Sequence, residues 1–125
     1  MENTLNRTIS EDYVSFETAR LLKKKGFSEE CNTYFISDNE IALIPIQRDF
    51  NNNGIYLSAP TLQMAMKWLR KHNLFVWIGK DSMGYWFRIQ DDTTLTGLSN
   101  VICGHTSYEE AACKAIKLCL TDFIN

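Results

Sequence analysis

Cys103 and His105 are the two side chains whose types best suit covalent chemistry, because a thiol beside an imidazole can act as a nucleophile with its base. Positions two apart on a strand share a face, but Gly104 between them and the turn that follows leave their convergence open. His72, the other histidine, falls at a helix end, where a cation is electrostatically favoured. Asp81, Asp91 and Asp92 would hold a metal ion only if folded together; apart, they read as solvated loop acids. No H-E-x-x-H, G-x-x-x-x-G-K-S/T, G-x-S-x-G or G-x-G-x-x-G pattern occurs, and Gly79 and Gly84 flank a turn rather than form a phosphate loop. The expectation is no catalytic residue, no metal and no cofactor, with an enzyme third among the functional readings.

The cysteines Cys31, Cys103, Cys113 and Cys119 make neither a C-x-x-C pair nor a dense framework, which favours free thiols in a reducing compartment. Cys113 and Cys119 fall on one helix at a spacing of six. Six residues turn a helix through about 600°, equivalent to about 240°, so the two thiols point in different directions. The first residues, Met1-Glu2-Asn3-Thr4-Leu5-Asn6-Arg7, have neither a basic nor an apolar segment of signal-peptide type. The longest apolar runs, Ile41 to Ile46 and Leu74 to Gly79, are far shorter than the ~20 residues that span a bilayer. A cytoplasmic location without membrane contact is expected.

What remains is recognition chemistry. All three tryptophans lie between Pro60 and Gln90, where a helix candidate runs straight into a hairpin candidate. On the hairpin, Arg88 and Gln90 belong in solvent, which sends Tyr85, Phe87 and Ile89 inward. With a loop of Asp81-Ser82-Met83-Gly84, Ile78 faces Phe87 and Val76 faces Ile89 on the core side. Phe75, Trp77, Trp86 and Arg88 then share the outer face, with Lys80 near the turn. A loop one residue longer would bury Phe75 and Trp77 instead, since a slip of one exchanges the faces. A solvated strand face normally alternates to polar residues, so these rings call for a cover: residues 1–12 of the same chain, a partner protein or second copy, or single-stranded nucleic acid. Net charge of −2 and a pI near 5.6 disfavour nucleic acid, for which only local clusters such as Lys67, Arg70, Lys71 and Lys80 are available.

The elements that must position this face follow from local signals. At 125 residues, 45 % hydrophobic and 22 % charged, the chain is one soluble domain, residues 13–125, behind a loose polar arm of residues 1–12. Ser15 caps a first helix carrying Phe16, Ala19 and Leu22 at helical period, and Gly26 with Phe27 suits a Schellman ending. The run Lys23-Lys24-Lys25 sits at that helix's C-terminus, where cations are favoured in any case. Thr33 to Ile36 and Ile41 to Ile44 flank an Asp38-Asn39 turn. Pro45 ends the second strand or places it at an edge. After a loop from Arg48 to Gly54 and a short extended segment, Ile55 to Leu57, a second helix opens with Pro60-Thr61 in its first turn. Leu62, Ala65, Met66 and Leu69 form its apolar stripe, with Met64 and Trp68 beside it. Asp91 to Asn100 reads as a loop and Val101 to Gly104 as a strand. Ser107 with Glu110 forms a capping box that opens the last helix. The order α-β-β-α-β-β-β-α predicts an α+β fold with one mostly antiparallel sheet of about five strands and three helices mainly on one face.

The segments Tyr13-Val14-Ser15-Phe16-Glu17-Thr18-Ala19, Leu21-Leu22, Lys25-Gly26-Phe27, Ala59-Pro60-Thr61, Met66-Lys67-Trp68-Leu69-Arg70, Tyr108-Glu109-Glu110-Ala111 and Ala115-Ile116 resemble a family of short uncharacterised proteins from anaerobic gut bacteria and their phages. The resemblance covers roughly Tyr13 to the C-terminus and implies a small intracellular protein of phage or mobile-element type. It assigns no activity, so it supplies no site residue. The leading expectation is a non-enzymatic protein-interaction or self-association module, including a possible homodimer, that uses the aromatic face. The alternative is a nucleic-acid-binding accessory protein using the same face.

Overall fold

The computed structural model describes residues 9–53 and 56–124. The elements run α1 (Phe16–Lys24), β1 (Cys31–Ser37), β2 (Glu40–Arg48), a 3-10 turn (Phe50–Asn53), β3 (Leu57–Ser58), α2 (Leu62–Lys71), β4 (Leu74–Asp81), β5 (Gly84–Asp91), β6 (Ile102–His105), α3 (Tyr108–Leu118) and a π-helical turn (Cys119–Phe123). The fold is α+β, as the order of signals predicts, but the expected single sheet is two three-stranded antiparallel sheets, β2-β1-β3 and β4-β5-β6. The short segment before α2 makes the difference. It pairs Leu57 and Ser58 with Phe35 and Tyr34, so both edges of β1 are occupied. In the second sheet β5 is likewise enclosed by β4 and β6. Neither central strand can then join the other sheet, and α2 carries the chain from one to the other.

All three helices are capped by a hydroxyl that accepts from the amide three residues on: Ser15 from Thr18 (3.1 Å), Thr61 from Met64 (3.1 Å) and Ser107 from Glu110 (3.0 Å). Such caps are worth about 1 kcal/mol each. Thr61 is thus the cap of α2 and Pro60 precedes the helix, where the sequence had placed both in the first turn. Glu110 reaches one residue beyond the cap of α3 and accepts from the Thr106 amide (2.6 Å) and hydroxyl (3.1 Å). These bonds hold its carboxyl below the usual range. At the end of α1, Phe27 N–H donates to Leu22 C=O and Gly26 N–H to Lys23 C=O, the two bonds of a Schellman ending, with Gly26 at φ +98°.

α2 and α3 pack on one face of the second sheet, α3 against both β4 and β5. α1 packs on β3 and against α3. Phe16 of α1 meets Phe35 of β1 edge-on at 5.3 Å, and the Cys31 thiol donates to Met64 Sδ at 3.6 Å, which ties β1 to α2. One continuous core results, with Leu22, Leu69, Ile89, Ile116 and Leu120 fully buried. Of the expected arm, residues 1–8 lie outside the described residues. Residues 9–12 are exposed and border the first turns of α2 and α3. The arm ends where Asp12 C=O accepts from Leu62 N–H (2.9 Å) and Val14 N–H donates to Pro60 C=O (3.0 Å). Among the described residues, no helix is long and apolar enough to cross a membrane.

Candidate interaction face

The β4–β5 hairpin has an unbroken register from Leu74↔Asp91 to Asp81↔Gly84, with Val76 opposite Ile89 and Ile78 opposite Phe87. The pairing that sends the aliphatics inward is therefore the one formed. Asp81 Oδ1 accepts the Met83 amide at 2.8 Å and fixes the turn. Phe87 and Ile89 are buried, and Val76, Ile78 and Tyr85 pack on the core, while Phe75, Trp77 and Trp86 stand outside the core cluster.

On the outer face Trp77 is 46 % exposed and meets Phe75 edge-on at 5.1 Å. Trp86 lies across its cross-strand neighbour Gly79, so closely that a Cβ there would collide with the indole. A glycine in a strand interior normally weakens the strand; here it provides the bed for a ring. Arg88 stands opposite Trp77 and donates from Nη2 to Gln90 Oε1 at 3.0 Å. Its Nε is shielded from solvent and has no acceptor among the described residues. Gln90, expected in solvent, is instead buried at the far end, where an isolated bridge joins it to Gly97 of the following segment. The polar loop after β5 is thus partly a pairing segment: Asp91 Oδ1 accepts the amides of Thr93 and Thr94, and Leu98 N–H donates to Ile89 C=O. The Thr94 and Thr93 amides lower the Asp91 pKa in turn.

Lys80 does not belong to this face. It pairs with Tyr85 and holds its ammonium 5.2 Å from the centre of that ring, on the side of the sheet that carries Ile78 and Phe87. Lys67, Arg70 and Lys71 are exposed on α2, as their position opposite the apolar stripe predicts. Glu29 forms an ion pair with Lys71 at 3.3 Å, and Glu30 borders the same hollow as Lys67 and Lys71, so this basic cluster is partly neutralised by its own chain.

The geometry also separates the groups with catalytic potential. β6 pairs Phe87 with Ile102 and Tyr85 with His105, so it carries one more residue than β5 over that interval, and Gly104 takes φ +91°. This irregularity turns His105 inward and leaves Cys103 exposed. His105 Nδ1 donates to Tyr85 C=O at 3.0 Å, since a carbonyl can only accept, and its ring lies against Phe87 at 5.3 Å. His72 caps the C-terminus of α2 with its ring 4.2 Å from Trp68. Burial pushes the Cys31 thiol up to about 11 and that of Cys119 to about 12, and raises Cys113 as well, so these three are not thiolates near neutral pH. Asp81 and Asp91 lie at opposite ends of the hairpin, about 23 Å apart at strand rise, and cannot share a cation.

Two apolar surfaces escaped the sequence reading. Tyr34, Phe50 and Tyr56 cluster on the first sheet with centroids 4.7 to 6.3 Å apart. Phe16, Phe35, Ile36 and Leu57 line an open groove of about 490 Å³ together with Arg20 and Lys24. The uninterrupted run Ile41-Ala42-Leu43-Ile44-Pro45-Ile46 hinted at the first, because a strand covered on one side alone would alternate. No family model matches the chain, and comparison with the curated proteins and with the solved structures finds no match.

Proposed function

We propose that the protein is a non-enzymatic interaction module whose outer β4–β5 face, Phe75, Trp77, Trp86 and Arg88, binds a protein surface, a second copy included. The observation that carries the reading is the half-exposed Trp77 amid rings that take no part in the core. Aromatics and Arg are the residues enriched at the centres of protein interfaces. Here they are held on a regular hairpin, so little side-chain freedom is lost on docking. A phage or mobile-element setting is part of the proposal and comes from the resemblance of the segments named above.

Nucleic acid is the second reading for the same face. The net charge of −2 and the Glu29 ion pair on Lys71 of the α2 cluster weigh against it. Light scattering over a concentration series, beside anisotropy with labelled single strands at low and physiological salt, separates the two. The protein reading expects association that persists in salt and is lost in Trp86→Ala; phosphate-driven binding must weaken steeply with salt. A monomer at every concentration that retains no partner through Trp86 contradicts the proposal.

A further inference from the structure

Among the described residues four strands bound the two sheets, and β4 is the one whose edge is neither short, irregular nor broken by proline, with the charged Lys80 near one end. β2 is interrupted by Pro45 and by register shifts along its pairing with β1. β3 is two residues long. β6 has four residues, with Gly104 at φ +91°. Natural proteins blunt sheet edges with such devices: proline, irregularity and brevity. β4 has none of them, since its eight residues, Leu-Phe-Val-Trp-Ile-Gly-Lys-Asp, pair with β5 without a single shift.

The direction of its free groups follows from the hydrogen bonds of β5. Ile89 donates its N–H to Ser99 Oγ (2.9 Å) and accepts from Leu98 N–H (2.8 Å) with its C=O, so its backbone groups point away from β4. Its partner Val76 therefore belongs to a non-hydrogen-bonded pair and aims its own N–H and C=O outward. Leu74, Ile78 and Lys80 share that parity. The opposite parity is engaged inward, as Asn73 C=O shows by accepting from Asp92 N–H at 2.8 Å. Among the described residues, no backbone partner meets the outward groups.

Resting on the interaction reading of this face, we infer that the partner is a second copy of this chain, joined antiparallel through β4 to make a continuous six-stranded sheet with its two-fold axis at Trp77. An edge that offers the same donors and acceptors on both copies is self-complementary in the antiparallel sense. Only residues of outward parity can exchange hydrogen bonds, which leaves few registers. Centring on Trp77 pairs Leu74 with Lys80 and Val76 with Ile78 of the second copy, so all four outward residues are engaged. Centring on Ile78 engages three and sets Phe75 beside Asp81. In the Trp77 register the two Trp77 rings meet at the axis in a non-hydrogen-bonded pair, where side chains approach most closely. Phe75 then falls beside Gly79 of the second copy, over which Trp86 lies. The rings of both copies become one stripe, and Trp77 gains the cover it lacks in the protomer.

The register makes a sharp prediction for cross-linking. In a Cys103→Ser background, Trp77→Cys places two thiols at the axis with Cα atoms about 4.5 Å apart, within disulfide reach. Met83→Cys, at the exposed hairpin turn, places them at opposite ends of the pair of strands. Under mild oxidation, Trp77→Cys should convert to covalent dimer, while Met83→Cys, which still associates through β4, should form no covalent dimer. Trp77→Lys, which sets two ammonium groups opposite each other, should sediment as a monomer with an unchanged circular dichroism spectrum. Cross-linking of Trp77→Cys no faster than of Met83→Cys, or a wild-type chain that sediments as a monomer at every concentration, overturns the inference. Association that survives Trp77→Lys and is lost with Trp86→Ala also overturns β4 pairing, but keeps the aromatic face. Association indifferent to both changes removes the two together.

Discussion

Replacing Trp68 by alanine is expected to lower the unfolding free energy by about 3–5 kcal/mol, the usual cost of emptying a buried tryptophan site. Trp68 is 4 % exposed and packs between Phe27 (5.7 Å) and His72 (4.2 Å), so it joins the segment that follows α1 to the C-terminal end of α2. A domain of this size has about 5–15 kcal/mol in all, so the variant should unfold at a much lower urea midpoint. Trp68→Phe should recover most of the loss. Equilibrium urea unfolding followed by circular dichroism checks both, and a loss below about 1 kcal/mol for the alanine variant contradicts the packing described.

Gly79→Val should destabilise by about 1–3 kcal/mol, the range for inserting atoms into an occupied space. The direction is informative because propensity alone argues the reverse: valine suits a strand and glycine does not. The added Cβ would meet the indole of Trp86, and that ring must leave. A double-mutant cycle isolates the cause. In a Trp86→Ala background the same substitution should be neutral or stabilising, so the coupling should equal or exceed the loss seen in the single variant. Additive effects would mean that the ring does not occupy the space above Gly79.

The contrast between these sites and the sheet arrangement explains what could be read in advance. Ser15, Gly26 and Ser107 act within one helical turn, so residue type and spacing announce them. The hairpin register was legible for a similar reason, since Asp81 and Gly84 set the turn and the apolar residues at 76, 78, 87 and 89 choose a face. Lys80 lies near the turn as expected, and its even number puts it on the side of Ile78 rather than that of Trp77. The division into two sheets was not legible, because it depends on Leu57 and Ser58 finding β1 over twenty positions away, and nothing local specifies that pairing. His105 illustrates the same limit. Its role as a buried donor to Tyr85 depends on the irregular β6 pairing, which the sequence shows only as a glycine between two residues of catalytic type.

Phe75 and Trp86 are half-buried within the protomer, so the interface proposal rests on Trp77, the exposed ring, being shielded by something outside its own protomer. Fluorine NMR of protein carrying 5-fluorotryptophan at its three tryptophans reads this at each ring through the shift between light and heavy water. Trp68 is expected to show no solvent shift at any concentration, and Trp77 a large one in dilute protein that is lost as concentration rises or a partner is added. A Trp77 resonance already protected at the lowest concentration, or one that stays solvent-sensitive under every condition, would contradict the interface proposal.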